Sequence, residues 1–296
     1  MAIDPDKLQI AENLYLKARF FNYQRKYLEF NTQKGIDNFD DILDKLTRYK
    51  APEMNFYNIK SVGSAKNFIL EIMVDILGEG LRNKIANFIS ITEWYEDYEK
   101  PFNGFINYSM LFGTPILEGF NIANINKSIG LVAAAHEFTH GLVLPKEGIL
   151  FNDYFGNLHY EEFPSMMMEK IFAHKLEIFT YDNIAQKMVM IRNYANYCIA
   201  FDIMENIENK EKEENIGEYH EQLINFSNQI YYGYIISDVY ATYLYEIYLD
   251  NPDKFIKIYR SLIKDEINLL DYFKKYDVSL ERNEVKDVYI KSLKNE

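Results

Sequence analysis

The sequence predicts a mainly α-helical protein with a small β-sheet just ahead of one short, apolar helix. Three observations carry this. Only 13 Gly and 7 Pro punctuate 296 residues, so long stretches run without a helix breaker. Apolar residues recur at three- and four-residue spacing through much of the chain. One region, 101–125, drops that spacing for Gly and Pro between short apolar runs.

In chain order, residues from about 5 to 100 read as helical. The runs DKLQIAENLYLKARFFNYQRKYLEF and SAKNFILEIMVDILGEGLRNKIANFISI both carry the helical period. The stretch PFNGFINYSMLFGTPILEGFNIANI predicts two or three short strands, of which GTPILEGF is expected to offer an open edge. A helix is then predicted from Asn126 or Ser128, either of which can cap it, to a stop at Gly141 and Pro145. A loop to about residue 158 follows, and helices resume. The charged run at 205–222 reads as a solvated face. No internal repeat or low-complexity linker interrupts the chain, so a single domain over 1–296 is the simplest parse, with a helical part at 1–100 and the core at 101–296.

Composition narrows the function classes. The net charge of −13 disfavours phosphate backbones and anionic lipid, so neither nucleic acid nor membrane is an expected partner. The longest apolar runs are too short to span a bilayer. The first residues carry acids throughout and do not read as a signal peptide, so a cytoplasmic location is expected. The single Cys198 excludes an internal disulfide framework.

The chemistry concentrates in AAAHEFTHGLVLP. On a helix, His136 and His140 lie about 40° apart on one face and can grip one metal ion, with Glu137 beside them to polarise a bound water. Catalytic zinc takes three protein ligands and leaves a position for water. One class of zinc peptidase places a third histidine six residues after the second; Lys146 stands there, which excludes that class. The remaining candidates sit in HYEEFPSMMMEKIF: His159, Glu161, Glu162 and Glu169. Glu161 and Glu162 diverge by about 100°, so both cannot face the metal, whereas Glu162 and Glu169 share a face. Such a pair suits one ligand and one partner for a ligating histidine. Spacing alone leaves Glu161 and Glu162 both open. Pro164 is placed in the first turn of its helix, where a missing N–H costs little.

HEFTH, followed after 21 residues by EFPSMMME, resembles the thimet oligopeptidase and oligoendopeptidase F family of zinc peptidases. That family carries His-Glu-x-x-His and, downstream, Glu-x-Pro-Ser-Gln-x-x-Glu. Glu162, Pro164, Ser165 and Glu169 match the second motif in register, so the resemblance implies Glu162 as the third zinc ligand and Glu169 as the residue orienting a ligand. Met166 stands in place of the usual Gln and Thr139 in place of the usual Gly. A third match lies in YYGYIISDVY, residues 231–240. By resemblance, Tyr234 donates its phenol to the oxyanion of the tetrahedral intermediate, while Tyr231 holds substrate or the same oxyanion. His220 is slightly out of register with the family's upstream histidine and is a substrate-contact candidate; Ser227 replaces a common tyrosine.

The resemblance covers about residues 105–290 and implies a helical, zincin-like metallopeptidase of the gluzincin type, dependent on Zn²⁺ and acting on peptides. The N-terminal part is much shorter than the family's, whose N-terminal half closes one side of a deep channel. This leaves the substrate size limit open and allows a second copy, in a homodimer, to complete the cleft. The expected activity is hydrolysis of internal bonds in oligopeptides. Two alternatives are a dedicated protease for one protein or leader segment, and an inactive zinc-containing peptide binder.

Overall fold

A computed structural model describes residues 39–50, 62–96, 104–111, 114–143, 158–181, 183–212, 234–235, 237–264 and 283–294. The architecture is mostly helical with a three-stranded sheet, as the sequence predicts. Helices α1 (Phe39–Thr47), α2 (Val62–Leu77) and α3 (Arg82–Ile91) lead into strand β1 (Thr92–Tyr95). Strands β2 (Gly104–Leu111) and β3 (Thr114–Ala123) follow, then α4 (Ser128–Val143), α5 (Leu158–Thr180) and α6 (Ile184–Lys212). A helix over 237–250 (α7), α8 (Pro252–Lys264) and α9 (Asn283–Ser292) complete the described elements.

β1 interrupts the stretch that reads as helical to residue 100. The Thr92 hydroxyl donates to the Phe88 carbonyl at 2.6 Å, satisfying an acceptor at the end of α3, and its backbone is already extended. The chain then pairs in parallel with β3, Thr92 opposite Phe120 through Tyr95 opposite Ala123. A parallel partner lies a crossover away in sequence, so local periodicity carries no trace of it.

β3 is the middle strand: β2 pairs antiparallel on its other side, with an irregularity between Asn107 and Tyr108. β2 covers one edge of GTPILEGF from Thr114 onward, and β1 reaches the other edge at Phe120; along 114–119 that other edge has no strand partner among the described residues. Among the described residues, β1 and β2 are the two edge strands, each with an unpaired outer edge.

The sheet exists to seat α4. Asn124 adopts φ 57°, a left-handed conformation that asparagine tolerates, and turns the chain from β3 into the helix. Gly130 then passes so close to the strand end that a Cβ there would lie 2.1 Å from the Asn124 carbonyl oxygen. Phe120, Phe138 and Phe88 interlock, with ring centroids 4.9 Å apart for Phe120–Phe138 and 5.0 Å for Phe88–Phe120. Trp94 meets Phe138 edge-on at 6.4 Å. α4 does not end at Gly141, which lies inside it. A Cβ at that position would meet Phe120 Cζ at 2.8 Å and Phe88 Cζ at 3.1 Å, so this glycine serves packing against the aromatic cluster rather than termination. Pro145 lies outside the described residues.

α5 packs on the opposite side of α4. Pro164 falls in its second turn, not its first, and the Pro164 carbonyl accepts the buried Tyr259 phenol. Met166, Met167 and Met168 are all fully buried, unbranched side chains filling the space between helices. Among the described residues no helix is long and apolar enough to cross a membrane.

Gly130→Ala is expected to destabilise the protein by about 2–4 kcal/mol and Gly141→Ala by about 1–3 kcal/mol, because backbone cannot yield where ring edges can. Denaturant unfolding of both variants checks the ranking; a Gly130→Ala protein as stable as the parent would contradict the close approach.

Candidate metal centre

α4 is buried around its whole circumference over residues 128–139, its polar side chains included. Phe138 occupies the sheet side, so positions 136 and 140, each about 200° away on the helix, turn toward α5. The structure brings His136, His140 and Glu162 together. His136 Nε2 and His140 Nε2 are 3.0 Å apart, His136 Nε2 is 3.6 Å from Glu162 Oε2, and His140 Nε2 is 3.8 Å from Glu162 Oε1. A tetrahedral zinc with arms of about 2.1 Å spaces its ligands by about 3.4 Å, which these separations bracket. His136, His140 and Glu162 are thus placed to hold a metal ion. His159 and Glu161 lie outside the residues whose side chains are described.

Charge supports the same conclusion. Among the described residues, the buried ionic side chains are Glu137, Glu162, Glu169 and Asp238 against Lys170 and Arg192. Four carboxylates face two cations, and uncompensated buried charge is costly. A divalent cation at the two histidines and Glu162 balances that excess. Without it, protons must do so. Burial lifts the Glu137 carboxyl to about 7, opposed by His136 and reinforced by Glu162 and Glu169. Burial likewise raises Glu162, although His136, Arg192 and a hydrogen bond from Tyr234 counteract it. Burial disfavours a charge on His136, yet Glu169, Glu137 and Glu162 together raise the imidazole above its ordinary value.

Glu137 Oε1 lies 4.0 Å from His136 Nε2, within one water of the ligand cluster. Strand β2 begins against it: a Cβ on Gly104 would sit 3.0 Å from Glu137 Cγ. The absence of a side chain at 104 leaves room for the carboxylate. Glu169 stands on the far side of His136, with Oε1 2.6 Å from Nδ1. Tyr234 directs its phenol to Glu162. Tyr231, His220 and Ser227 lie outside the described residues. Thr139 fits where a glycine is usual because its hydroxyl donates to the Ala135 carbonyl at 2.8 Å.

Sequence reasoning missed a second tier of buried polar residues. Arg192 of α6 engages both oxygens of Glu169. Lys170 Nζ lies 2.9 Å from Asp238 Oδ1, and Asp238 Oδ2 accepts from Asn196 at 2.8 Å and from Tyr289 at 3.1 Å. Two signals were visible in sequence: Lys170 beside Glu169 in the run after Pro164, and Asp238 within YYGYIISDVY.

No protein-family model matches the chain, and no curated protein matches it in sequence. Solved structures do. One is described as an oligoendopeptidase F from Bacillus anthracis: 12% identity, TM-score 0.58, with 92% of this chain covering 55% of that one. A PZ peptidase A bound to an inhibitor gives 13% identity and TM-score 0.51, covering 92% of this chain and 58% of that one. A further oligoendopeptidase F structure gives 12% identity and TM-score 0.52, covering 93% and 57%. The likeness is one of fold, and the chain spans a little over half the length of each.

The Glu137 carboxyl, at about 7 in the folded chain against about 4.3 for an unfolded glutamate, keeps a proton that the unfolded chain has lost between those values. Stability of the metal-free protein therefore falls as pH rises through that window. Glu137→Gln is expected to stabilise the metal-free protein by an amount on the order of 2 kcal/mol at about pH 8 and little at about pH 5. Thermal unfolding in the presence of a chelator measures this; equal shifts at both pH values would contradict the assignment.

Proposed function

We propose that this chain, which shares the fold of oligoendopeptidase F and PZ peptidase A, is a zinc-dependent peptidase that cleaves internal bonds of peptides. The observation that carries the proposal is the convergence of His136, His140 and Glu162 within ligand distance of one another, with the Glu137 carboxylate beside them. Two imidazoles and one carboxylate form a donor set suited to zinc with an open position. When bound there, Zn²⁺ supplies Lewis acidity toward the scissile carbonyl and lowers the pKa of its water.

The protein's own residues do the rest. Glu137 takes the proton of the attacking water as general base and delivers it to the leaving amine. The Tyr234 phenol leaves Glu162 to donate to the oxyanion developing on the scissile carbonyl. Tyr231 and His220 are assigned to substrate contact on the resemblance of their sequence. An extended peptide adds to the outer edge of β2, whose first residue, Gly104, borders Glu137. Main-chain hydrogen bonds then fix the scissile bond beside the base. Nucleic acid and membrane are not proposed as partners.

A dedicated protease for one protein or leader segment, or a homodimer in which a second copy completes the cleft, fits the same centre.

The zinc-loaded protein is expected to cut unstructured peptides of about six to forty residues, read by mass spectrometry. A chelator abolishes the cuts and added zinc restores them. Glu137→Gln is expected to lower kcat/KM by about 10²–10⁴ and Tyr234→Phe by about 10²–10³, each with zinc still bound. A zinc-loaded protein that cuts neither peptides nor folded proteins would sink the proposal. Cuts confined to one folded protein would select the dedicated protease.

A further inference from the structure

Arg192 lies on α6, two helices away from the histidines, and matches no motif. Its side chain is nevertheless almost entirely buried, 10% exposed, beside a Glu169 side chain that is 2% exposed. Nε of Arg192 donates to Glu169 Oε2 at 3.3 Å, and its Nη2 donates to Oε1. The same Oε1 lies 2.6 Å from Nδ1 of His136, whose Nε2 faces His140 and Glu162. Three elements are thereby linked in series, α6 to α5 to α4, by guanidinium, carboxylate and imidazole.

Each link has a directional consequence. A histidine ligates a metal through one nitrogen only when the other holds its proton against an acceptor. Glu169 is that acceptor, and its plane must be fixed for the imidazole to keep its heading. A guanidinium is a planar fork matching both oxygens of a carboxylate, so it sets that plane in a way a point charge does not. Asp238, the nearby carboxylate, is held by Lys170, Asn196 and Tyr289, while Glu169 receives two N–H groups of the fork. Stability does not explain such a pair, because buried ion pairs are replaceable by apolar side chains with little loss.

We infer that Arg192 is a positioning residue of the metal centre: through Glu169 it fixes the tautomer and heading of His136 and so sets metal affinity. The inference rests on the metallopeptidase reading only in its metal site, not in its activity.

The test is zinc affinity by competition with a chromogenic chelator. It uses the full chain, Arg192→Met, Arg192→Lys, Glu169→Gln and the double variant Arg192→Met/Glu169→Gln, with circular dichroism establishing that each is folded. Arg192→Met is expected to weaken zinc binding by about 10–100-fold. Arg192→Lys, which keeps the charge and loses the fork, recovers only part. The double variant binds within a few-fold of Glu169→Gln alone, since Arg192 acts through Glu169. With cobalt in place of zinc, the visible absorption of the Arg192 variants shifts as the histidine turns, a change that loss of stability alone does not produce. If Arg192→Met fails to fold, Arg192→Lys carries the test. Parental affinity in Arg192→Lys, or losses that multiply in the double variant, would overturn the inference while leaving the metal site intact. An unaltered protein that binds no zinc would instead overturn the metallopeptidase reading and this inference with it.

Discussion

The described structure is arranged around a helix buried on every side from Ser128 to Thr139. α4 is pinned to the sheet by Phe138 and to the strand end by the close approach of Gly130, so its rotation about its own axis is fixed. With that rotation set, His136 and His140 have one direction available, toward α5. A half-exposed helix would tolerate a few degrees of roll; one buried on both sides at crystal-like packing density does not.

Burial creates the electrostatic problem that the centre resolves. Glu137, Glu162, Glu169 and Asp238 are all taken out of water, and Lys170 and Arg192 neutralise only part of their charge. The division of labour follows from distance. Arg192, with His136, overcomes burial and holds the Glu169 carboxyl down at about 2, permanently an acceptor. Glu137 has no such fork, and burial leaves it at about 7, where a carboxylate can both take and return a proton. Two glutamates on neighbouring helices thus acquire opposite characters from their neighbours alone.

The sheet, small as it is, has two roles. Its inner face supplies Phe120 to the aromatic cluster that seats α4, and its outer strand begins at a glycine beside Glu137. With β1 returning in parallel on one side of β3 and β2 pairing on the other, β2 is an edge strand whose first residue borders the carboxylate.

How much of this was written in the sequence depends on the range of the interaction involved. The helical period, the strands in 104–123 and the pairing of His136 with His140 are local: they follow from a few residues and the geometry of one turn. Spacing narrowed the third ligand to Glu161 or Glu162, and motif resemblance named Glu162. Gly141 misled as a helix stop, because glycine looks the same in sequence whether it ends a helix or admits two phenylalanine rings. β1 hid inside a helical stretch because its partner is almost thirty residues away. Arg192 gave no signal, and Asp238 showed only as a member of the YYGYIISDVY match, since what matters about both is a contact between helices that only packing creates. The sequence by itself determined the chemistry, that is, which side chains could grip a metal and move a proton. Tertiary structure decided the environment, meaning which of those side chains meet, which lose their water, and how far burial and neighbouring charge push each from its ordinary state.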